Sequence, residues 1–319
     1  MLYPLKFKSI YKEKVWGGDK IRKLKSDNST PLNCGESWEI SAIQNDISVV
    51  ENGFLNNNSL EEIIEIYMGE IVGDSVFDKF GYEFPILLKI IEAKENLSIQ
   101  VHPNDKIAEE RHHARGKSEM WYVIESEEDA RLISGFKNQT NFKELTDAIN
   151  SGNIDELINQ PIIKNSEVYY IPAGRIHSLG KGNIIVEVQQ TSDVTYRLYD
   201  YNRLDRELHL ELAKDVVDFN PIEKLTETFD RTPDKSNKII KTDNFTVNFL
   251  PIMNSLEKDY FKLDSFVIYF CLKGELIIKY KNKTETISTG ETVLIPAQLK
   301  NIVLIPKQYT EMLEVYMEL

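Results

Sequence analysis

Short apolar runs broken by turn residues dominate the chain. Runs at 37–41, 86–93, 97–101, 120–124, 168–171, 184–188 and 194–198 are rich in Val, Ile, Tyr or Trp and bounded by Gly, Pro, Asn or Asp, which predicts strands. A second series lies at 245–250, 266–272, 276–280, 292–295 and 302–305. Many short strands with turn signals between them predict sandwiches or barrels. Helices are fewer. Ser59 and Glu62 make a capping box that opens a helix to about Gly69, the serine taking one backbone N–H and the glutamate reaching back. Helical patterns follow at 105–115, 141–150, 154–159 and 207–219. The segment 221–237 is polar and charged and holds two prolines, so it reads as a linker after a boundary near residue 220.

The pattern also repeats. Residues 168–177 (Val-Tyr-Tyr-Ile-Pro-Ala-Gly-Arg-Ile-His) align with 292–301 (Thr-Val-Leu-Ile-Pro-Ala-Gln-Leu-Lys-Asn). Each is an apolar strand, then Ile-Pro-Ala, then a turn. His177 of the first copy faces Asn301 of the second, which reads as two related barrels of which one kept a metal-binding side chain.

Composition narrows the class. The 319 residues are 41% hydrophobic with a net charge of −13, enough apolar content for a core and the wrong sign for a duplex nucleic-acid binder. A small anionic substrate stays compatible, because local cations outweigh a global charge. Cys34 and Cys271 stand far apart, which excludes a disulfide scaffold and fits a reducing compartment. The N-terminal stretch holds no signal-type apolar run, and the longest apolar stretches, 84–91 (interrupted by Lys89) and 266–272, are strand-sized. The expectation is a cytoplasmic protein without a membrane segment.

Candidate chemistry gathers at strand ends. In 97–103 (Leu-Ser-Ile-Gln-Val-His-Pro) the alternation of a strand puts Ser98, Gln100 and His102 on one face. Glu119 opens another strand with Lys117 two residues earlier, and His177 follows a third strand's turn. Singly, each fits an ordinary polar edge, surface pair or structural histidine. Together, two histidines and a carboxylate from three strand ends suit Zn²⁺ or Fe²⁺, with Gln100 as a neutral oxygen donor. Arg197 shares a face with Asp193 and Thr195. It could stabilise an enediolate or grip a phosphate, or pair internally with Asp193 or Glu187. Arg203, Arg206, His112, His113 and His209 read as surface or structural.

Six ordered segments resemble the type I mannose-6-phosphate isomerases in their short bacterial form: Trp-Gly-Gly at 16–18, Gly-Glu-Ser-Trp-Glu at 35–39, 97–103, Gly-Lys-Ser-Glu-Met-Trp-Tyr-Val at 116–123, 171–177 and 189–203. The resemblance implies a mainly β fold of two cupin (jelly-roll) barrels with a small helical insertion. Residues 1–220 would be the catalytic barrel with its insertion near 141–160, 221–240 the linker and 241–319 a metal-free barrel. It implies one zinc on His102, Glu119 and His177 with Gln100 as fourth ligand. Ser98 would be a substrate-binding residue, and Lys117 and Arg197 would be catalytic, with a zinc-bound water, or Glu119 acting through one, as the competing base. The implied reaction interconverts mannose 6-phosphate and fructose 6-phosphate through a cis-enediol, with a small-molecule sugar phosphate as partner and neither nucleic acid nor membrane. Longer relatives carry a Tyr where this chain has Leu179, and their large helical domain is shortened here. Arg175 and Lys181, flanking His177, are the candidate phosphate ligands. The rival readings are a non-haem iron cupin oxygenase and a non-catalytic sugar-binding cupin.

Overall fold

The computed structural model describes residues 1–203 and 206–319. Its first half opens with β1 (Ile10–Gly18), α1 (Lys20–Lys25), β2 (Cys34–Ile40) and a small hairpin of β3 (Ala42–Ile43) and β4 (Asp46–Ile47). Three helices follow, α2 (Leu60–Tyr67), α3 (Gly69–Val72) and α4 (Asp74–Phe80). The next elements are β5 (Ile86–Ala93), β6 (Ile99–Val101), α5 (Asp105–His112), β7 (Glu119–Ser126), β8 (Leu132–Ser134) and α6 (Phe142–Ser151). This half ends with β9 (Val168–Ile171), β10 (His177–Leu179), β11 (Asn183–Gln190), β12 (Tyr196–Tyr199) and α7 (Leu210–Ala213). A six-stranded antiparallel sheet in the order β1-β2-β5-β11-β7-β9 lies against a four-stranded one, β12-β6-β10-β8.

The second half repeats the plan without the helices. It comprises β13 (Asn237–Lys241), β14 (Thr246–Ile252), β15 (Leu256–Asp259), β16 (Val267–Lys273) and β17 (Glu275–Tyr280). It continues with β18 (Lys283–Ser288), β19 (Thr292–Ile295), β20 (Asn301–Pro306) and β21 (Thr310–Tyr316). Its sheets run β13-β14-β21-β16-β19 and β15-β20-β17-β18. Among the described residues no sheet closes on itself. The architecture is mainly β, as expected, built of paired open sheets.

Registers match between the halves. Glu119 pairs with Ile171, and Val267 pairs with Ile295, the residue that the sequence repeat aligns with Ile171. Glu187 sits opposite Trp121, and Glu314 sits opposite Tyr269. The carboxylate of the first half thus has an aliphatic counterpart in the second. One core joins the halves, running from Leu2 and Leu5 through Val186 to Leu294 and Val315, and Leu5 bridges directly to Leu294. A second core under β6 and β12 is closed by α6 and by Ala213, Val216 and Val217.

The capping box forms as predicted: Glu62 N–H donates to Ser59 Oγ and Ser59 N–H to the Glu62 carboxylate. The predicted helix at 207–219 shrinks to α7, because His209 lies against β12 and makes no side-chain cap. The second Ile-Pro-Ala segment also departs from expectation. Asn301 opens β20 as His177 opens β10, but its side chain is exposed.

Glu314 shows how the second half fills its interior. It is buried and receives hydrogen bonds from Tyr260 Oη at 2.7 Å, Ser236 Oγ at 2.6 Å and Asn248 Nδ2 at 2.9 Å, with Lys258 Nζ 2.6 Å away. A buried ion pair is costly to break from one side, since the survivor keeps its desolvation penalty. Glu314→Ala is therefore expected to lower unfolding stability by about 3 kcal/mol in urea titration. A loss under about 1 kcal/mol would mean that the network contributes no more than an exposed pair.

Candidate active site

Strand alternation builds the site. On the six-stranded sheet, Glu36 and Trp38 of β2, Lys89 of β5, Trp121 of β7 and Glu187 of β11 point inward. From the other sheet, Gln100 of β6, Leu179 of β10 and Arg197 of β12 face them across a cavity of about 300 Å³. Residues two apart on a strand share a face, so each strand lends the cavity every second side chain. Glycine matters at β1, where a Cβ on Gly17 would lie 2.3 Å from Asn33 O.

His102, Glu119 and His177 meet at one end. They are buried, and their ligand atoms lie within 4.8 Å of one another. His102 Nδ1 lies 2.9 Å from Val194 O, and His177 Nδ1 lies 2.9 Å from Arg175 O. A carbonyl accepts only, so both rings carry their proton on Nδ1 and turn an Nε2 lone pair inward. Glu119 Oε1 lies 3.1 Å from His102 Nε2 and 2.7 Å from Lys117 Nζ, yet neither contact has hydrogen-bond geometry and this buried oxygen is left unpaired. Two inward imidazole nitrogens and an unpaired carboxylate oxygen are the donor set of a divalent metal. Gln100 Nε2 lies 3.3 Å from His177 Nε2, and a half-turn of the amide puts its oxygen there instead.

Electrostatics hold these groups in ligating form. Burial, reinforced by Lys117, pushes His102 down to about 3, and burial likewise lowers His177. Burial raises Glu119, but Lys117 and His102 outweigh it and keep the carboxyl well below its usual range. Burial lowers Lys117, but Glu119 and Glu187 more than offset it, so the ammonium is favoured. Glu187 is raised by burial first and by Glu119 second. Trp121 Nε1 ties the two carboxylates together, donating to Glu187 at 2.7 Å and to Glu119 at 3.1 Å.

The remaining sequence candidates divide. Ser98 and Lys117 line the cavity with Gln100 and Arg197. Among the described residues Arg197 makes no ion pair and its buried Nε has no partner, while its Nη1 donates to Glu207 O at 2.7 Å. Arg175 and Lys181 stand outside this cavity. Arg175 Nη1 donates to Tyr170 O at 2.7 Å, and Lys181 is exposed beside a separate hollow with Arg131 and Tyr201. The shortness of β10 explains this: the strand spans only His177–Leu179, so Arg175 lies in the preceding turn and Lys181 beyond its end, where strand alternation no longer directs the side chain.

Sequence reasoning missed Arg206, which lines the cavity while held to Asp200 at 3.2 Å. It also passed over Lys14, Glu36, Trp38 and Lys89 as site residues. Lys89 carried a signal, being the charge that interrupts the apolar run 84–91.

Residues 4–145 match the family model of the phosphomannose isomerase type I catalytic domain, and residues 235–305 match the mannose-6-phosphate isomerase cupin domain. Mannose-6-phosphate isomerase ManA of Bacillus subtilis is 40% identical over 224 residues, 67% of this chain and 68% of its own. YvyI of the same organism is 34% identical over 306 residues, 93% of this chain and 94% of its own. The chain belongs to the type I phosphomannose isomerase family. It is an enzyme, an isomerase. The crystal structure of the mannose 6-phosphate isomerase from Bacillus subtilis superposes with a TM-score of 0.88 at 32% identity, covering 99% of this chain and 100% of that one. No helix among the described residues is long and apolar enough to cross a membrane.

Neutral buried imidazoles make the metal-free fold acid-sensitive. His102 titrates at about 3 when folded and at about 6.5 when unfolded. Between those values the unfolded chain binds the extra proton, so stability falls as pH falls from 6.5 towards 3. The melting temperature of the chelated protein is expected to drop steadily over that window. A flat profile from pH 6.5 to 4 would contradict burial of neutral rings.

Proposed function

We propose that this chain interconverts D-mannose 6-phosphate and D-fructose 6-phosphate through a cis-enediol, with one zinc ion held by His102, Glu119, His177 and Gln100. The observation that carries the reading is the buried His-Glu-His donor set, whose neighbours Lys117, Trp121 and Gln100 line a cavity together with Arg197. Bound there, zinc would supply redox-inert Lewis acidity for the sugar's oxygens. Iron in the same donor set would suit oxygen chemistry, which the family resemblance does not support.

The isomerisation moves a proton between C2 and C1. Lys117 is the group proposed to carry it. Its ammonium is favoured by Glu119 and Glu187. A cation held by Glu119 would weaken that support, and burial would then favour the neutral amine, which could accept the carbon-bound proton and return it to the neighbouring carbon. Arg197, which lines the cavity, serves the developing oxyanion with its guanidinium. Burial, with Arg206 beside it, destabilises the Arg197 cation, so an incoming negative charge relieves both guanidinium groups. Ser98 would hold a sugar hydroxyl. For the phosphate, the cavity favours Arg206 and Lys14, which line it, over Arg175 and Lys181.

Matching registers support two cupin-type jelly-roll barrels, a catalytic unit at 1–220 and a metal-free unit at 241–319 joined through 221–240. In the second, Val267 replaces the carboxylate and Glu314 with Lys258 fills the interior. The acidic, cysteine-poor composition supports a cytoplasmic enzyme.

A coupled assay of mannose 6-phosphate conversion should lose activity on chelation and regain it with Zn²⁺. Arg197→Ala and His177→Ala should each cost at least a hundredfold in turnover, as expected for loss of charge stabilisation or of a ligand. A loss under tenfold in either would remove that residue from its role. Arg206→Ala should raise KM for mannose 6-phosphate about tenfold, in line with about 1.4 kcal/mol from one charge-assisted contact. An unchanged KM would leave the phosphate elsewhere.

A further inference from the structure

We propose that residues 207–209 form a strap that holds Arg197 in its working position, with His209 as the positioning residue. The inference rests on the reading of Arg197 as the group that meets developing negative charge.

β12 is the outer strand of its sheet, so one of its edges has no strand to pair with, and an unpaired backbone edge needs other partners. The strap supplies them. His209 N–H donates to Arg197 O at 2.7 Å. Arg197 N–H donates to His209 Nδ1 at 3.1 Å. Arg197 Nη1 donates to Glu207 O at 2.7 Å. Both backbone groups and one end of the guanidinium are thereby fixed by Glu207 and His209.

The imidazole is the unusual member. A backbone amide only donates, so Nδ1 must offer its lone pair, and the ring stands in for the carbonyl of a missing strand. Its attachment also explains why α7 starts at Leu210, with His209 at its N-cap making no side-chain cap. The strap is itself anchored. Arg111 of α5 donates to Leu212 O at 3.0 Å and pairs with Asp215 at 2.6 Å. The Tyr196 ring lies 6.3 Å from the His209 ring, and its hydroxyl bonds to His112 Nε2 at 2.7 Å. A displacement of about 1 Å at a catalytic group is enough to cost two orders of magnitude in rate, so a residue that touches no substrate can still set turnover.

The test is a double-mutant cycle on the zinc-loaded enzyme with mannose 6-phosphate. His209→Ala should lower kcat at least tenfold with KM within threefold, because the charge-stabilising group is displaced while the rest of the cavity stands. His209→Asn, whose amide oxygen can accept the Arg197 N–H, should recover most of that loss. In an Arg197→Ala background, measured at high enzyme concentration, His209→Ala should cost less than a further twofold, since there is no guanidinium left to position. Parent-like kcat in His209→Ala would overturn the proposal. So would a full tenfold loss on top of Arg197→Ala, or failure of Asn to rescue a His209→Ala protein that melts like the parent. Should Arg197→Ala by itself retain more than a tenth of activity, the reading of Arg197 fails instead, a result seen without touching His209.

Discussion

The structure turns on one constraint, a cluster of charges that must be kept away from water between two sheets. Glu119 has no exposed surface and shares its surroundings with Lys117, His102 and His177. Taking a carboxylate out of water costs several kcal/mol unless every lone pair is answered. Here Trp121 answers one oxygen and leaves the other beside His102 and Lys117 without a hydrogen bond. The fold tolerates that because β5, β7 and β11, of eight residues each, are antiparallel and packed into apolar cores behind the polar face. The cluster is under-satisfied as protein alone and suited to a cation.

The second half shows the same interior without that demand. Glu314 occupies the register position of Glu187, but its neighbours Lys258, Tyr260, Ser236 and Asn248 satisfy it. Val267 replaces Glu119. Two sheets of one design thus enclose, in one case, an open cavity with unanswered ligands and, in the other, a closed network. The difference lies in a few inward positions, since the shared core from Leu5 to Leu294 and Val315 treats both halves alike.

Across the cavity, Arg197 faces a different problem. It sits on an edge strand, where backbone is unpaired and position is loosely held. Its guanidinium lies in surroundings that disfavour charge, near Arg206. An anion is the natural complement, and the rigid contacts from 207–209 keep the side chain from turning away to solvent.

Much of this was written along the chain. Period-two alternation marked Ser98, Gln100 and His102 as one face and grouped Asp193, Thr195 and Arg197, because a strand has only two sides. The short apolar runs marked most of the strands, the capping box marked α2, and six motif segments marked the family. Other features depended on approach in three dimensions. Lys14, Trp38, Lys89 and Arg206 enter the site from segments far apart in sequence, and no local pattern says which inward face another strand will meet. Arg175 and Lys181 looked suitable by nearness to His177, but β10 ends before either, and beyond a strand's ends the alternation no longer sets where a side chain points. His209 looked like part of a longer helix until β12 claimed its imidazole. The sequence by itself determined the strands, the ligand types and the family, since these are local in periodicity and motif. Tertiary structure alone decided which charges share the cavity and which groups fix Arg197, since both depend on distances between strands that only packing sets.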